Sequence, residues 1–372
     1  MPGSLKALRL CITFFLCCSA GVSCFAQPQH DTLSQYYSFV YQAGQAITQA
    51  DYQQAAKSYD RAFSMSCTHF AIDIYNAAVC EAINQNYDRL QVLSKMLILK
   101  GADSSFFHKA VFRAFTDSHQ WTAILGSYPA LVQQRNRSID TSLIRHIKDL
   151  IRRDQAIHCM LPQNAADVEF IRKMNRLNDS LSESLYDLFV QYDYLGEDIL
   201  GANFNDTVLN PAPLYRALVV HEFQKNGTYL TKALDSAIRR GKLYAELGLG
   251  WLELGHSGRI RFLGDYFVYK DTLRSSWTFT DTNSGIYRLN EKALTRLLSE
   301  TPTPRVLALR RYYYMDEPES IHRRMIYRFR QYTNDKEMPP FRSALPLGVI
   351  GNFKEKESEY RVLKDSRIVG VP

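Results

Sequence analysis

Apolar positions along this chain fall into distinct textures. Through most of the first 260 residues they recur at three- and four-residue steps, the period of an amphipathic helix. Val168, Ile171, Met174, Leu181, Leu185, Leu188 and Tyr192 make one such stripe, which stops near Gly196. Pro211 and Pro213 open an apolar run from Leu214 to Phe223. Leu230, Leu234, Ala237 and Ile238 form the next stripe, closed by Gly241, a residue suited to ending a helix. The stretch from 140 to 262 is therefore expected to be mostly helical. After Phe262 the pattern changes to alternation. Asp265–Tyr269, Trp277–Thr280 and Ile286–Leu289, arranged about Asn283-Ser284-Gly285, predict a small hairpin. Helix is expected again over Glu291–Leu298, with breaks at Pro302 and Pro304 and a restart after Pro318. From Pro339 two more prolines and a charged stretch, Lys354–Glu359, predict an extended tail.

The start of the chain reads as an export leader. Lys6 and Arg9 precede a nearly uncharged run from Leu10 to Cys24, and Cys24-Phe25-Ala26 before Gln27 suits cleavage after Ala26. That run falls short of the roughly 20 residues that a spanning helix needs. The expected product is an exported chain, periplasmic or secreted. A lipid-anchored N-terminus at Cys24 is the competing reading, against which Gly21 stands where a lipobox has Leu.

Repetition is the clearest signal in the N-terminal part. Asp51-Tyr52, Asn86-Tyr87 and Gln120-Trp121 place an aromatic residue at 52, 87 and 121, one helical hairpin apart each time. After the first of these, Ala55, Tyr59 and Ala62 follow at helical spacing, and Ala43 lies twelve residues before Ala55. This segment resembles a tetratricopeptide repeat, and the resemblance extends over about residues 36–134. Later copies depart from the pattern: Leu90, Ser94 and Leu97 replace the Ala-aromatic-Ala set, and Phe112 takes the small position of the third. The resemblance implies stacked hairpins whose concave face is lined by Tyr37, Val40, Gly44 and Ile47 from one first helix and Ile72, Tyr75, Val79 and Ile83 from the next. Tyr37, Val40, Ile47, Ile72 and Tyr75 are the candidate contacts for a protein partner, such as an apolar helix laid in the groove.

Composition narrows the classes. Of 372 residues 46% are hydrophobic and 22% charged, which excludes a disordered or collagen-like chain. Cleavage after Ala26 would remove four of the seven cysteines, leaving Cys67, Cys80 and Cys159, too few for a disulfide scaffold. Buried thiols at Cys67 and Cys80 are expected, with pairing between them the alternative. Net charge is +7, and the last 72 residues hold 14 Lys and Arg against 9 Asp and Glu. Arg310-Arg311-Tyr312-Tyr313-Tyr314 and Arg323–Arg330 mix cations with aromatics, as surfaces for anions do. Ile321, Met325 and Phe329 are four apart, so these arginines also read as the solvated sides of a core stripe. No nucleic acid is expected for an exported chain, and an anionic surface is the functional alternative.

No motif names a reaction. His221-Glu222 begins like a zinc-protease signature, but Lys225 stands where the second His would be. Gly248-Leu249-Gly250-Trp251-Leu252-Glu253-Leu254-Gly255 fits neither dinucleotide nor phosphate-loop spacing and reads as helix packing. No cofactor and no metal site are assigned. Asp154-Gln155, the His221 helix and Arg239-Arg240-Gly241 are together similar to a bacterial family of unknown function over about residues 150–270. That resemblance implies no activity; it marks Asp154, Gln155 and His221 as polar residues that meet in one cavity.

These readings give a mainly α protein: a leader (1–26), a helical-repeat domain (27–138), a helical domain (139–262), a mixed hairpin and helix region (263–338) and a tail (339–372). The leading expectation is an interaction or scaffold module and no enzyme. The alternative is a hydrolase-like enzyme with a pocket around His221, to which Glu222 and Asp154 contribute.

Overall fold

A computed structural model describes residues 27–65, 67–160, 166–205, 208–224 and 229–255, three strands at 266–271, 276–281 and 285–289, and then 304–317, 319–320, 323–324, 327, 341 and 347–348. The leader with Cys24, the expected helix Glu291–Leu298, the core stripe of Ile321, Met325 and Phe329, and the chain after 348 lie outside the described residues.

Four helices pair into two hairpins: α1 (Gln27–Thr48) with α2 (Tyr52–Phe63), and α3 (Ala71–Ile83) with α4 (Tyr87–Leu99). Their turns are built alike. Ala50 and Gln85 take positive φ, at 58° and 56°, and the next residue caps a helix. Asp51 Oδ1 accepts from Gln54 N at 3.0 Å, and Asn86 Oδ1 accepts from Arg89 N at 3.4 Å, each satisfying an N–H that the helix leaves open. Ala43, Ala55, Tyr59 and Ala62 are buried, and so are Ala78, Leu90, Ser94 and Leu97. The third copy departs from this plan. Two 3₁₀ turns, Ser104–Phe107 and Ala110–Phe112, and the one-turn α5 (Arg113–Thr116) stand in place of a first helix. α6 (His119–Ser138) then starts two residues before Trp121, whose N–H is capped by Ser118 Oγ. A phenyl ring has no room where two helices meet through an alanine, and Phe112 instead packs against Tyr75 and Phe107.

The middle of the chain is helical as expected, with one addition. α7 (Thr141–His158), α8 (Val168–Gln191) and α10 (Arg216–Gln224) pack pairwise, and α12 (Ala245–Gly255) covers α10 and α11 (Thr231–Arg239). Between them run the short α9 (Glu197–Leu200) and a hairpin of β1 (Asn203–Asn205) with β2 (Val208–Asn210), which the sequence pattern does not predict. The α8 stripe buries Leu181 and Leu185 but not Val168, which is 64% exposed. Gly241, at φ +67°, ends α11. Gly248 is a packing residue: a Cβ there would stand 2.6 Å from the Ile238 side chain and 2.7 Å from that of Leu243.

In the C-terminal region β3 (Tyr266–Asp271), β4 (Ser276–Asp281) and β5 (Gly285–Leu289) form an antiparallel meander, with Asp281 opposite Gly285 at the expected turn. β6 (Leu347–Gly348) adds a short parallel strand on β3. α13 (Pro304–Tyr312) corrects the expected break at Pro304, which is its first residue; a missing N–H costs nothing there. The fold is mainly α with this small β component. Among the described residues no helix is long and apolar enough to cross a membrane.

The face expected to form a partner groove is inside the molecule. Tyr37 and Tyr75 are 0% exposed, and Val40, Ile47 and Ile72 are buried. Tyr37 stacks on Tyr314 at 5.8 Å and meets Tyr244 at the same distance, while Ala245 N donates to its hydroxyl at 3.0 Å. Tyr52, further along, stacks on Phe341. The chain itself fills this groove, which corrects the assignment of those five residues as a free contact surface. Arg324, expected on a solvated or anion-facing side, is also drawn inward. Its Nη2 pairs with Glu246 at 2.6 Å and with Asp316 at 3.1 Å, and its guanidinium lies over Tyr41. Arg310 pairs with Asp316 and is 3% exposed, whereas Arg311 and Arg323 are exposed.

Asp73, on α3, is the other buried carboxylate of this core. Tyr36 Oη donates to it at 2.6 Å and Tyr244 Oη at 3.3 Å. Burial nevertheless pushes its pKa up to about 7. Two predictions follow from this arrangement. Arg324→Met leaves Glu246 buried without its cation and should lower unfolding free energy by about 3–5 kcal/mol in denaturant titrations, with part of the loss recovered by adding Glu246→Gln. For Asp73 the folded pKa lies above the unfolded value, so its contribution is present at low pH and is lost as pH rises from about 4 through 7. Melts of wild type and Asp73→Asn across that window should shift in the variant's favour with rising pH, by on the order of 4 kcal/mol.

Candidate functional site

The middle helices bring together three residues that can hold a proton or an ion. α7 is started by Asp140, whose Oδ1 accepts from Ser142 N and Leu143 N at 3.0 and 2.9 Å. Its inward stripe of Leu143, Ile147, Leu150, Asp154 and Ile157 is buried against α8 and α10. Asp154 and His158 are one turn apart on α7 and so share a face. α10 lies across that face and contributes His221.

Asp154 is 1% exposed. His221 Nδ1 lies 2.7 Å from Asp154 Oδ1, a contact across 67 residues, and His158 Nε2 lies 3.6 Å from the same oxygen. The other carboxylate oxygen, Oδ2, accepts from Gln155 Nε2 at 2.6 Å. The two imidazoles are stacked, with centroids 3.7 Å apart and planes at 21°. Asn178 of α8 places Oδ1 3.3 Å from His158 Nε2. Burial, and after it the neighbouring His221, holds the His158 pKa below its ordinary value. Both rings keep a rim on the surface, with 18% of the His158 side chain exposed and 20% of that of His221.

Of the residues marked in the sequence, the fold thus brings Asp154, Gln155 and His221 together. Glu222 points elsewhere: it is 1% exposed and accepts from Ser182 Oγ at 2.6 Å and from Tyr229 N at 3.3 Å. It ties α10 to α8 one turn beyond Asn178. His158 is the member that the sequence reading passed over. Its spacing from Asp154, four residues along an amphipathic helix, is the signal that would have found it. The second imidazole missing at Lys225 comes from another helix.

A cavity of about 170 Å³ lies at the other end of α7, lined by Ile144, Lys148, Glu197, Phe204, Tyr215 and Lys242. Its lining does not include His221 or Asp154. The three described cysteines are free: Cys80 is buried, Cys67 is half-buried with its pKa pushed up to about 11 by burial, and Cys159, next to His158, is exposed.

No protein-family model, no curated protein and no solved structure matches this chain. What the cluster does has to be argued from its own chemistry. Asp154 is acceptor-only when ionised, so the contact with His221 requires the proton on Nδ1, and in the neutral ring the lone pair is then on Nε2. Long-range nitrogen–proton NMR at neutral pH should accordingly show His221 with a protonated Nδ1 and an unprotonated Nε2. Asp154→Asn, which can present an amide N–H to the ring, should mix the two tautomers.

Proposed function

We propose that this protein is a hydrolase-like enzyme, acting in the envelope or outside the cell, whose reaction centre is Asp154, His158 and His221. The hairpins serve as the platform on which the middle helices are built. One observation carries the reading: a buried carboxylate 2.7 Å from the nitrogen of a part-exposed histidine, from segments 67 residues apart, with a second imidazole stacked on the first. Burying an ionisable cluster is costly, and this one is not needed to close a core that Leu150, Leu181 and Leu185 already fill. Two electron-rich imidazoles beside a fixed carboxylate suit the activation of water, whose proton they can take or whose oxygen they can hold near a Lewis acid. The scaffold reading needs an open concave face, whereas the five residues assigned to that face are buried, with Tyr244 and Tyr314 packed on Tyr37.

The test is turnover by purified protein of a panel of carboxylic esters, phosphate esters and small amides, with divalent metal supplied. His221→Gln, His158→Gln and Asp154→Asn should each lower the rate by about 10²–10⁴-fold, the range of general acid–base contributions. His146→Gln, an exposed histidine on the same helix, should leave it unchanged. No turnover across all three bond types, or turnover insensitive to the three substitutions, would sink the reading.

A further inference from the structure

We infer that Asp154, His158 and His221 form a binding site for a divalent transition metal of the zinc class, with Asp154 Oδ1, His158 Nε2 and His221 Nδ1 as its protein ligands. The inference rests on the reading of this cluster as the reaction centre and names the group that activates water there.

The donor atoms argue for it first. One carboxylate oxygen and two imidazole nitrogens all lie within 4.8 Å of one another, and two His with one carboxylate is a donor set that suits zinc and leaves room for water. With bonds of about 2.0–2.2 Å in a tetrahedral arrangement, neighbouring ligand atoms stand about 3.4 Å apart. His158 Nε2 is already near that spacing, at 3.6 Å from Asp154 Oδ1. The 2.7 Å contact of His221 Nδ1 is the hydrogen bond that an ion would replace: Nδ1 gives up its proton while Nε2 takes one from solvent, so the ring stays neutral, and nitrogen and oxygen separate by a fraction of an ångström to take the ion between them.

The surroundings argue for it second. Ligands of a working metal site are oriented by partners of their own. Gln155 holds Asp154 Oδ2 at 2.6 Å, which turns Oδ1 toward the two rings. The two rings stack face to face at 3.7 Å, so each limits how the other can turn. The site is set by rigid elements, since Asp154 and His158 share one helix and His221 lies on a second helix packed against it. Charge favours the ion as well: the cluster holds one carboxylate at the C-terminal end of α7, where the helix carries partial negative charge.

The experiment is calorimetric titration of purified, untagged and chelator-stripped protein with Zn²⁺, and absorption spectroscopy of the same protein with Co²⁺. One ion per chain is expected, with cobalt bands of four- or five-coordinate geometry. Asp154→Asn, His158→Gln and His221→Gln, each checked by circular dichroism, should weaken Zn²⁺ binding by about 100-fold or more. Gln155→Ala should weaken it by about 10-fold, as removal of an orienting partner does. Cys159→Ser should leave it unchanged, which separates this site from adventitious capture by the exposed thiol. No stoichiometric binding, or binding untouched by the three ligand substitutions, would overturn the inference. If His221→Gln abolishes turnover while the stripped wild type binds no metal and turns over at full rate, the metal site falls and the hydrolytic reading stands. If metal binds as described and no substrate is turned over, the hydrolytic reading falls and the site stands.

Discussion

Three carboxylates, on Asp73, Glu246 and Asp316, lie out of water in an interior lined by tyrosines, and Asp73 and Glu246 are met by donors from distant parts of the chain. Asp73 has the hydroxyls of Tyr36 and Tyr244; Glu246 and Asp316 share Arg324. A carboxylate buried without such partners costs several kcal/mol, so these contacts fix which segments must come together. They join the first hairpin, the end of α11 with the start of α12, and the stretch after α13 into one core. A second tie of the same kind is Glu197, whose Oε2 accepts from Ala71 N at 2.8 Å and pairs with Lys100 at 3.0 Å. It supplies the N-terminal cap that α3 lacks from its own sequence. The cluster of Asp154, His158 and His221 lies on α7 and α10, two helices that pack on each other.

Much of the N-terminal architecture was legible because it depends on near neighbours. Ala43, Ala55, Tyr59 and Ala62 mark where two helices touch, and Asp51 and Asn86 mark where each second helix starts; such signals act within one hairpin. The third copy lost its first helix because Phe112 replaced the small residue, and a volume mismatch is visible in sequence while the 3₁₀ path taken around it is not. The β1–β2 hairpin escaped because three-residue strands such as Asn203-Phe204-Asn205 are too short to show a period. The groove was misjudged for a different reason: the residues that cover it, Tyr314 and Arg324, come about 280 positions after Tyr37 and Tyr41. No local pattern reports such a contact.

The site divides in the same way. His221 stood out as a polar residue in an apolar run and Asp154 through the resemblance over about residues 150–270, but only the packing of α10 across α7 gives them a shared hydrogen bond. Glu222, adjacent to His221, was grouped with it in sequence, yet consecutive helical residues point about 100° apart, and its carboxylate serves Ser182 instead. His158 was overlooked because a search for two histidines on one helix cannot see a pair divided between two.

The late position of Tyr314 and Arg324 also bears on how the molecule is made. While the chain emerges from N- to C-terminus, the hairpins can form as soon as residue 99 is out, but their tyrosine-lined face is not fully covered until more than four-fifths of the protein has been synthesised. During that interval the nascent chain exposes an aromatic surface of the kind that chaperones hold and that aggregates when left alone. Native packing of the first hundred residues is therefore the last step of maturation, and a chain that stops before Arg324 leaves that face open.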